Sequence, residues 1–204
     1  AALYGTYAGT RSAAKQQEQL SRRKALEAIF FEGFGATEEV RTEDGALRYT
    51  RVWKGETQDG PCDYYAVQGQ ALGYHSSPPI VLLAGFANPE ASEYDRRVLL
   101  GWSVVQSEET PGLGEKIKEQ APAHTLAELV TFSAEEPPAD RRTDFQKQFA
   151  DRDAGELYTA DALQLAKNGG PIDAISGATI TSRAIIQAIR NADDNLQQAL
   201  AQEP

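Results

Sequence analysis

The chain has 204 residues, a formal net charge of −10 at pH 7, 41% hydrophobic and 25% charged residues, and one cysteine, Cys62. Such a composition belongs to a folded domain rather than a disordered chain, and the length suits one compact unit. The acidity argues against nucleic acid, which needs a basic surface to offset its phosphates, and a lone thiol rules out an intramolecular disulfide or a cysteine-held cluster. His75 and His124 lack metal-ligand spacing, so no metal site is expected.

Residues 1–10 are small and aromatic and precede a charged run from Arg11 to Lys24. That boundary suits the water-facing end of a membrane span, and equally a loose terminus. Residues 11–31 lack Gly and Pro and predict a helix whose apolar side holds Leu20, Ala25, Leu26, Ile29 and Phe30, ended by Gly33 and Gly35. From Thr37 to Thr57 the alternation around Val40, Leu47, Tyr49 and Val52 predicts a hairpin turning at Asp44-Gly45. Residues 63–74 read as a further strand, with Gly69 and Gly73 marking bulges or close backbone approach.

A polar insert, His75 to Pro79, separates that strand from an unbroken apolar run at 80–87, the pattern of a buried strand. Residues 98–107 make another strand, with Trp102 as its largest core candidate, and lead into a loop, where function commonly sits. Beyond it come a short helix around Leu126 to Val130, a break at Glu135 to Pro138, and a helical turn within Ala160 to Lys167. The last element is a helix over 183–201 carrying Ile185, Ile186, Ile189, Leu196 and Leu200.

Two segments carry chemistry. Asp173-Ala174-Ile175-Ser176-Gly177-Ala178-Thr179-Ile180-Thr181-Ser182 leads from a turn into the last helix. The first amide groups of a helix lack partners and its dipole is positive there, so a phosphate fits, while Gly177 and Ala178 permit close approach to the backbone. The hydroxyls of Thr179, Thr181 and Ser182 converge on that spot. Asp, Ser and Thr are also the residues that simply cap helices. The second segment, Glu109-Thr110-Pro111-Gly112-Leu113-Gly114, is a tight loop with one dihedral fixed by Pro111 and two glycines that offer a flat backbone surface.

Both segments closely resemble motifs of the FMN-binding domain family, which includes the G subunit of the Rnf electron-transport complex and the C subunit of the sodium-translocating NADH:quinone oxidoreductase. Phe145-Gln146-Lys147-Gln148-Phe149 resembles the family's aromatic segment, and the likeness spans about residues 64–192. It implies FMN joined through its phosphate to Thr179, with Thr181 as the alternative acceptor. It also implies Asp173, Ser176, Gly177, Ala178, Thr181 and Ser182 around the attachment, and Glu109, Thr110, Pro111, Gly112, Leu113 and Gly114 near the ring system. Thr181 and Ser182 with helix N–H groups would steady the phosphate, Asp173 would shape the turn or be read by the attaching enzyme, and Leu113 with an aromatic such as Tyr74 or Trp102 would lie against the ring.

The strand runs and the resemblance together imply an α+β fold, a single domain with a twisted, largely antiparallel sheet packed by helices. The expected organisation is a membrane-proximal helical region at 1–30, its anchor removed, and an FMN-binding domain at 31–204. The expected function is an electron-transfer subunit of an Rnf-type ion-translocating complex, flavinylated by a separate transferase that uses FAD, not catalytic alone, and held on the periplasmic side of the cytoplasmic membrane. The alternatives are the flavin domain of another extracytoplasmic reductase or respiratory regulator, and a non-redox assembly module in which Ser176 to Thr179 only cap a helix.

Overall fold

A computed structural model describes residues 2–75, 77–112, 114–118, 140–158 and 163–203. Helix α1 (Ala2–Ile29) precedes five long strands, β1 (Thr37–Arg41), β2 (Leu47–Val52), β3 (Tyr64–Ala71), β4 (Ile80–Ala87) and β5 (Val98–Gln106). After them come a short helix α2 (Asp144–Lys147), a two-residue strand β6 (Arg152–Asp153) and the long helix α3 (Thr179–Leu200). The strands form one antiparallel sheet in sequence order, β1 to β6, so the expected α+β architecture holds.

The sheet is covered on both faces, and this explains the unbroken apolar run of β4. Ile80, Leu82, Ala84 and Phe86 join the larger core beneath α3, whereas Leu83 joins a second cluster with Ala25, Leu26, Ile29 and Phe30 of α1 and the turn after it. Gly85 makes that second contact possible, since a methyl there would stand 2.4 Å from Ile29 Cγ2. α1 starts earlier than its sequence pattern predicts; extending a nucleated helix by a residue costs little. Among the described residues no helix is long and apolar enough to cross a membrane.

Helix α3 lies along β3, and Gly69 admits it: a Cβ at that position would meet Ala188 O at 1.9 Å. This is the close approach that Gly69 predicts. β2 pairs with β3 only across Tyr64–Ala66. Farther along the strand, Asn191 Nδ2 donates to Gln70 O at 2.8 Å and Asn195 Nδ2 to Gln68 O at 3.0 Å, so two side chains one helical turn apart satisfy carbonyls of β3 past Ala66, the last residue that pairs with β2. The Arg97 Nε to Asp193 Oδ1 ion pair, 2.7 Å, ties the opposite side of α3 to the start of β5.

The segment Phe145 to Phe149 folds as α2 with a capping box between Thr143 and Gln146, and packs Phe145 and Phe149 edge-on against Trp102. The helix expected near Leu126 to Val130 and the break at Glu135 to Pro138 lie outside the described residues. Of the turn expected in Ala160 to Lys167, the described part ends in a single 3₁₀ turn, Ala166–Asn168.

A candidate flavin site at the start of the last helix

Helix α3 begins at Thr179, four residues before the start predicted by its apolar spacing, so the second half of the Asp173 to Ser182 segment is its first turn. Its N-cap is Ala178, at φ −126° and ψ 44°, and no side chain makes a capping hydrogen bond. The polar residues of the segment are therefore not spent on capping, contrary to the plain structural reading of them. Gly177, at φ +76°, supplies the left-handed turn that brings the chain into the helix.

The three hydroxyls have different fates. Ser182, fully buried, donates to Ala178 O at 2.9 Å and accepts from the Ile175 N–H at 3.0 Å, so it braces the loop from inside. Thr181, also buried, donates to the carboxylate Oε2 of Glu109. Thr179 is only half-buried and lines a cavity of about 430 Å³. Ser176 and Asp173 are exposed. The backbone of Asp173 is clamped by one side chain, its N–H donating to Gln148 Oε1 at 2.7 Å and its carbonyl accepting from Gln148 Nε2 at 3.3 Å. Sequence reasoning left Gln148 without a role; its place in the aromatic segment was the signal available.

The cavity joins the two motifs. Its walls come from Tyr74 after β3, from Glu109, Thr110 and Gly114 after β5, and from Gly177 to Thr181. Pro111 and Gly112 are exposed on the same loop, Gly112 at φ +74°, and Leu113 lies outside the described residues. Gly114 is packed rather than open, since a Cβ there would stand 2.7 Å from Glu109 Oε2 and 2.9 Å from Thr181 Oγ1. Gly73, the other predicted point of close approach, faces the same carboxylate, with Glu109 Oε1 2.1 Å from a Cβ built there. His75 Nε2 is 3.5 Å from Thr110 Oγ1, so the polar insert borders the loop.

Tyr74 is 64% exposed and Ile180 48%, and both line the cavity. Leu72, 62% exposed, lies with Ile180 on an adjoining groove of about 780 Å³ that also holds Arg183 and Arg190. Three large apolar side chains left in water beside one cavity mark a binding surface. Trp102 is not among them: it is 1% exposed in the core between Phe145 and Phe149, so of the two aromatics considered for the ring only Tyr74 borders the cavity.

Among the described residues no Lys or Arg lines the cavity. A phosphate at Thr179 would be met by first-turn amide groups and the helix dipole rather than by a guanidinium. The uncapped helix start, the bare Gly177 and the exposed side chains of Tyr74 and Ile180 at the cavity together fit a phosphate that bears a planar ring, and the cavity volume lies in the range of small-molecule sites.

Residues 93–194 match the FMN-binding domain family. The chain belongs to the FMN-binding domain family. It is 31% identical over 181 residues to the G subunit of the ion-translocating oxidoreductase complex of Methanosarcina acetivorans, covering 89% of this chain and 75% of that protein. It is 30% identical over 126 residues to the corresponding G subunit of Vibrio cholerae, covering 62% of this chain and 46% of that protein. With the G subunit of Pasteurella multocida it shares 30% over 105 residues, 52% of this chain and 41% of that protein. The chain thus spans three quarters of the first relative and less than half of the other two. The family match runs from the loop before β5 through both motifs into α3, and so takes in every wall of the cavity except Tyr74.

Proposed function

We propose that this chain is an electron-carrying subunit of an Rnf-type ion-translocating membrane oxidoreductase, bearing FMN in phosphoester linkage to Thr179. The observation that carries the reading is the sorting of the hydroxyls: Ser182 is buried and bonded within its loop, and Thr181, though it also borders the cavity, is buried and bonded to Glu109, while Thr179 lines the cavity half-buried. FMN, when bound, would supply reversible one- and two-electron chemistry. The chain would hold the phosphate at the first turn of α3, keep Tyr74 and Ile180 against the ring, and leave an edge open to a partner.

No residue is assigned a catalytic role, because a carrier need not enclose a substrate. Attachment would be performed by a separate transferase with FAD as donor. The Thr179 Oγ–phosphorus bond would form as the pyrophosphate bond to AMP breaks, with the hydroxyl proton lost to a base of that enzyme. The relatives' designation as complex subunits supports partners among the other subunits of such a complex. We place the FMN-binding domain, residues 31–204, on the extracytoplasmic side of the cytoplasmic membrane, with residues 1–30 nearest the membrane. A reagent that cannot cross membranes should label an engineered surface cysteine on intact cells; protection until the membrane is broken would count against that placement.

The decisive experiment is co-expression with a flavin transferase followed by peptide mapping. Wild-type protein should carry one FMN on the peptide containing Thr179, and Thr179→Val should carry none while unfolding at the same denaturant concentration. Covalent flavin on the Thr179→Val protein would overturn the assignment.

A further inference from the structure

Glu109 is 6% exposed, and its carboxylate is closed in between Gly73 and Gly114. It accepts a hydrogen bond from the Thr181 hydroxyl and one, at 3.4 Å, from the Tyr74 N–H. Both hydrogen bonds fall on Oε2, so the carboxylate acts as an acceptor toward two separate segments. Among the described residues no Lys, Arg or His forms an ion pair with it, although buried acids elsewhere are paired, as Asp193 is with Arg97. Burying a carboxylate without a cation is costly, and a neutral amide or hydroxyl would serve for a tie between segments. This carboxylate is moreover a wall of the cavity that Thr179 lines.

We infer that Glu109 sets the reduction potential of the flavin carried on Thr179, holding it low by placing an uncompensated negative charge at the cavity wall. The inference rests on the function proposed above. Each electron delivered to the site adds one unit of negative charge there until a proton follows, and in a low-dielectric wall that charge is opposed by Glu109 more strongly than by any exposed acid. Thr181 and the Tyr74 amide temper the effect by partly neutralising the carboxylate. Glu109 is thus a positioning residue for two segments and an electrostatic one for the redox group.

The test is a dithionite titration with mediator dyes on flavinylated protein, the titrant supplying the electrons, in wild type, Glu109→Gln, Thr181→Val and Glu115→Gln. Glu109→Gln should favour the reduced form about tenfold, about 59 mV upward for a one-electron step. Thr181→Val keeps the charge and removes its hydrogen bond, so its potential should move down. Glu115→Gln alters the same charge on an exposed neighbour and should leave the potential where it was. Simple loosening of the loop would move Glu109→Gln and Thr181→Val in the same direction, and that result overturns the inference, as does an unmoved potential in Glu109→Gln. If Glu109→Gln fails to fold, a rise in Thr181→Val overturns it and a fall supports it. Absence of covalent flavin from the wild-type peptide overturns the proposed function and this inference together, whereas flavin present with an unmoved potential overturns this inference alone.

Discussion

Gly112 and Gly114 look alike in the sequence, and the structure gives them different work. Gly112 stands at φ +74° with nothing within 4 Å of a Cβ placed there, so its demand is conformational. Gly114 is held by contact, with Glu109 and Thr181 at under 3 Å from any Cβ. Gly112→Ala should therefore cost about 1 kcal/mol from the left-handed backbone alone. Gly114→Ala should cost about 1–3 kcal/mol through overpacking, and should also displace Glu109. Urea unfolding of the two variants measures the difference, and equal losses would show that the packed contact carries no weight. What the sequence made legible here was the pair of motifs; that they border one cavity is a finding of the structure. Neither the engagement of Thr181 by Glu109 nor the burial of Glu109 was legible, because both depend on contacts between segments far apart in the chain.

Among the elements, the strands were readable because each leaves a local trace: alternation in β2 and β3, an apolar run in β4, and an Asp44-Gly45 turn between β1 and β2. Apolar spacing missed the first turn of α3, since Thr179 to Ser182 contribute one large apolar residue, and Ile180 faces water there. Long-range ties such as Asn191 and Asn195 on the carbonyls of β3 leave no local pattern at all. The clamp of Gln148 on Asp173 is of the same kind, and it joins the end of α2 to the Asp173 to Ser182 segment without touching the cavity. Gln148→Ala removes two hydrogen bonds at an exposed site and should cost about 1 kcal/mol of stability. On the proposed function it should also lower the fraction of protein flavinylated in a fixed co-expression, because the turn leading to Thr179 is less well held. Mass spectrometry of intact protein gives that fraction, and full loading of Gln148→Ala would mean the transferase needs no such ordering.

For the molecule as a whole, stability in alkali is expected to fall through the titrating groups around Tyr49. Tyr49 is tied to Glu203, with Arg51 bonded to both, so the end of the described chain at Glu203 is pinned to β2. Burial, and then the Glu203 hydrogen bond, push the Tyr49 hydroxyl up to about 12. Burial followed by the neighbouring Cys62 raises Tyr65, and burial raises the Cys62 thiol. Each group thus keeps its proton longer in the folded chain than in the unfolded chain, where thiols titrate near about 8.5 and phenols near about 10. Their contribution is fully present below about pH 8.5 and is lost as pH rises through the folded values, so the unfolding midpoint in urea should fall steadily from about pH 8.5 to about pH 12. Tyr65→Phe tests the cause: it removes one ionising group from a packed pair, since Tyr49 and Tyr65 lie edge to face at 5.7 Å. The variant should lose less stability than wild type between about pH 9 and about pH 12, because one of the titrating groups is gone. A slope as steep as that of wild type would assign the alkaline loss to the growing net negative charge of an already acidic chain instead.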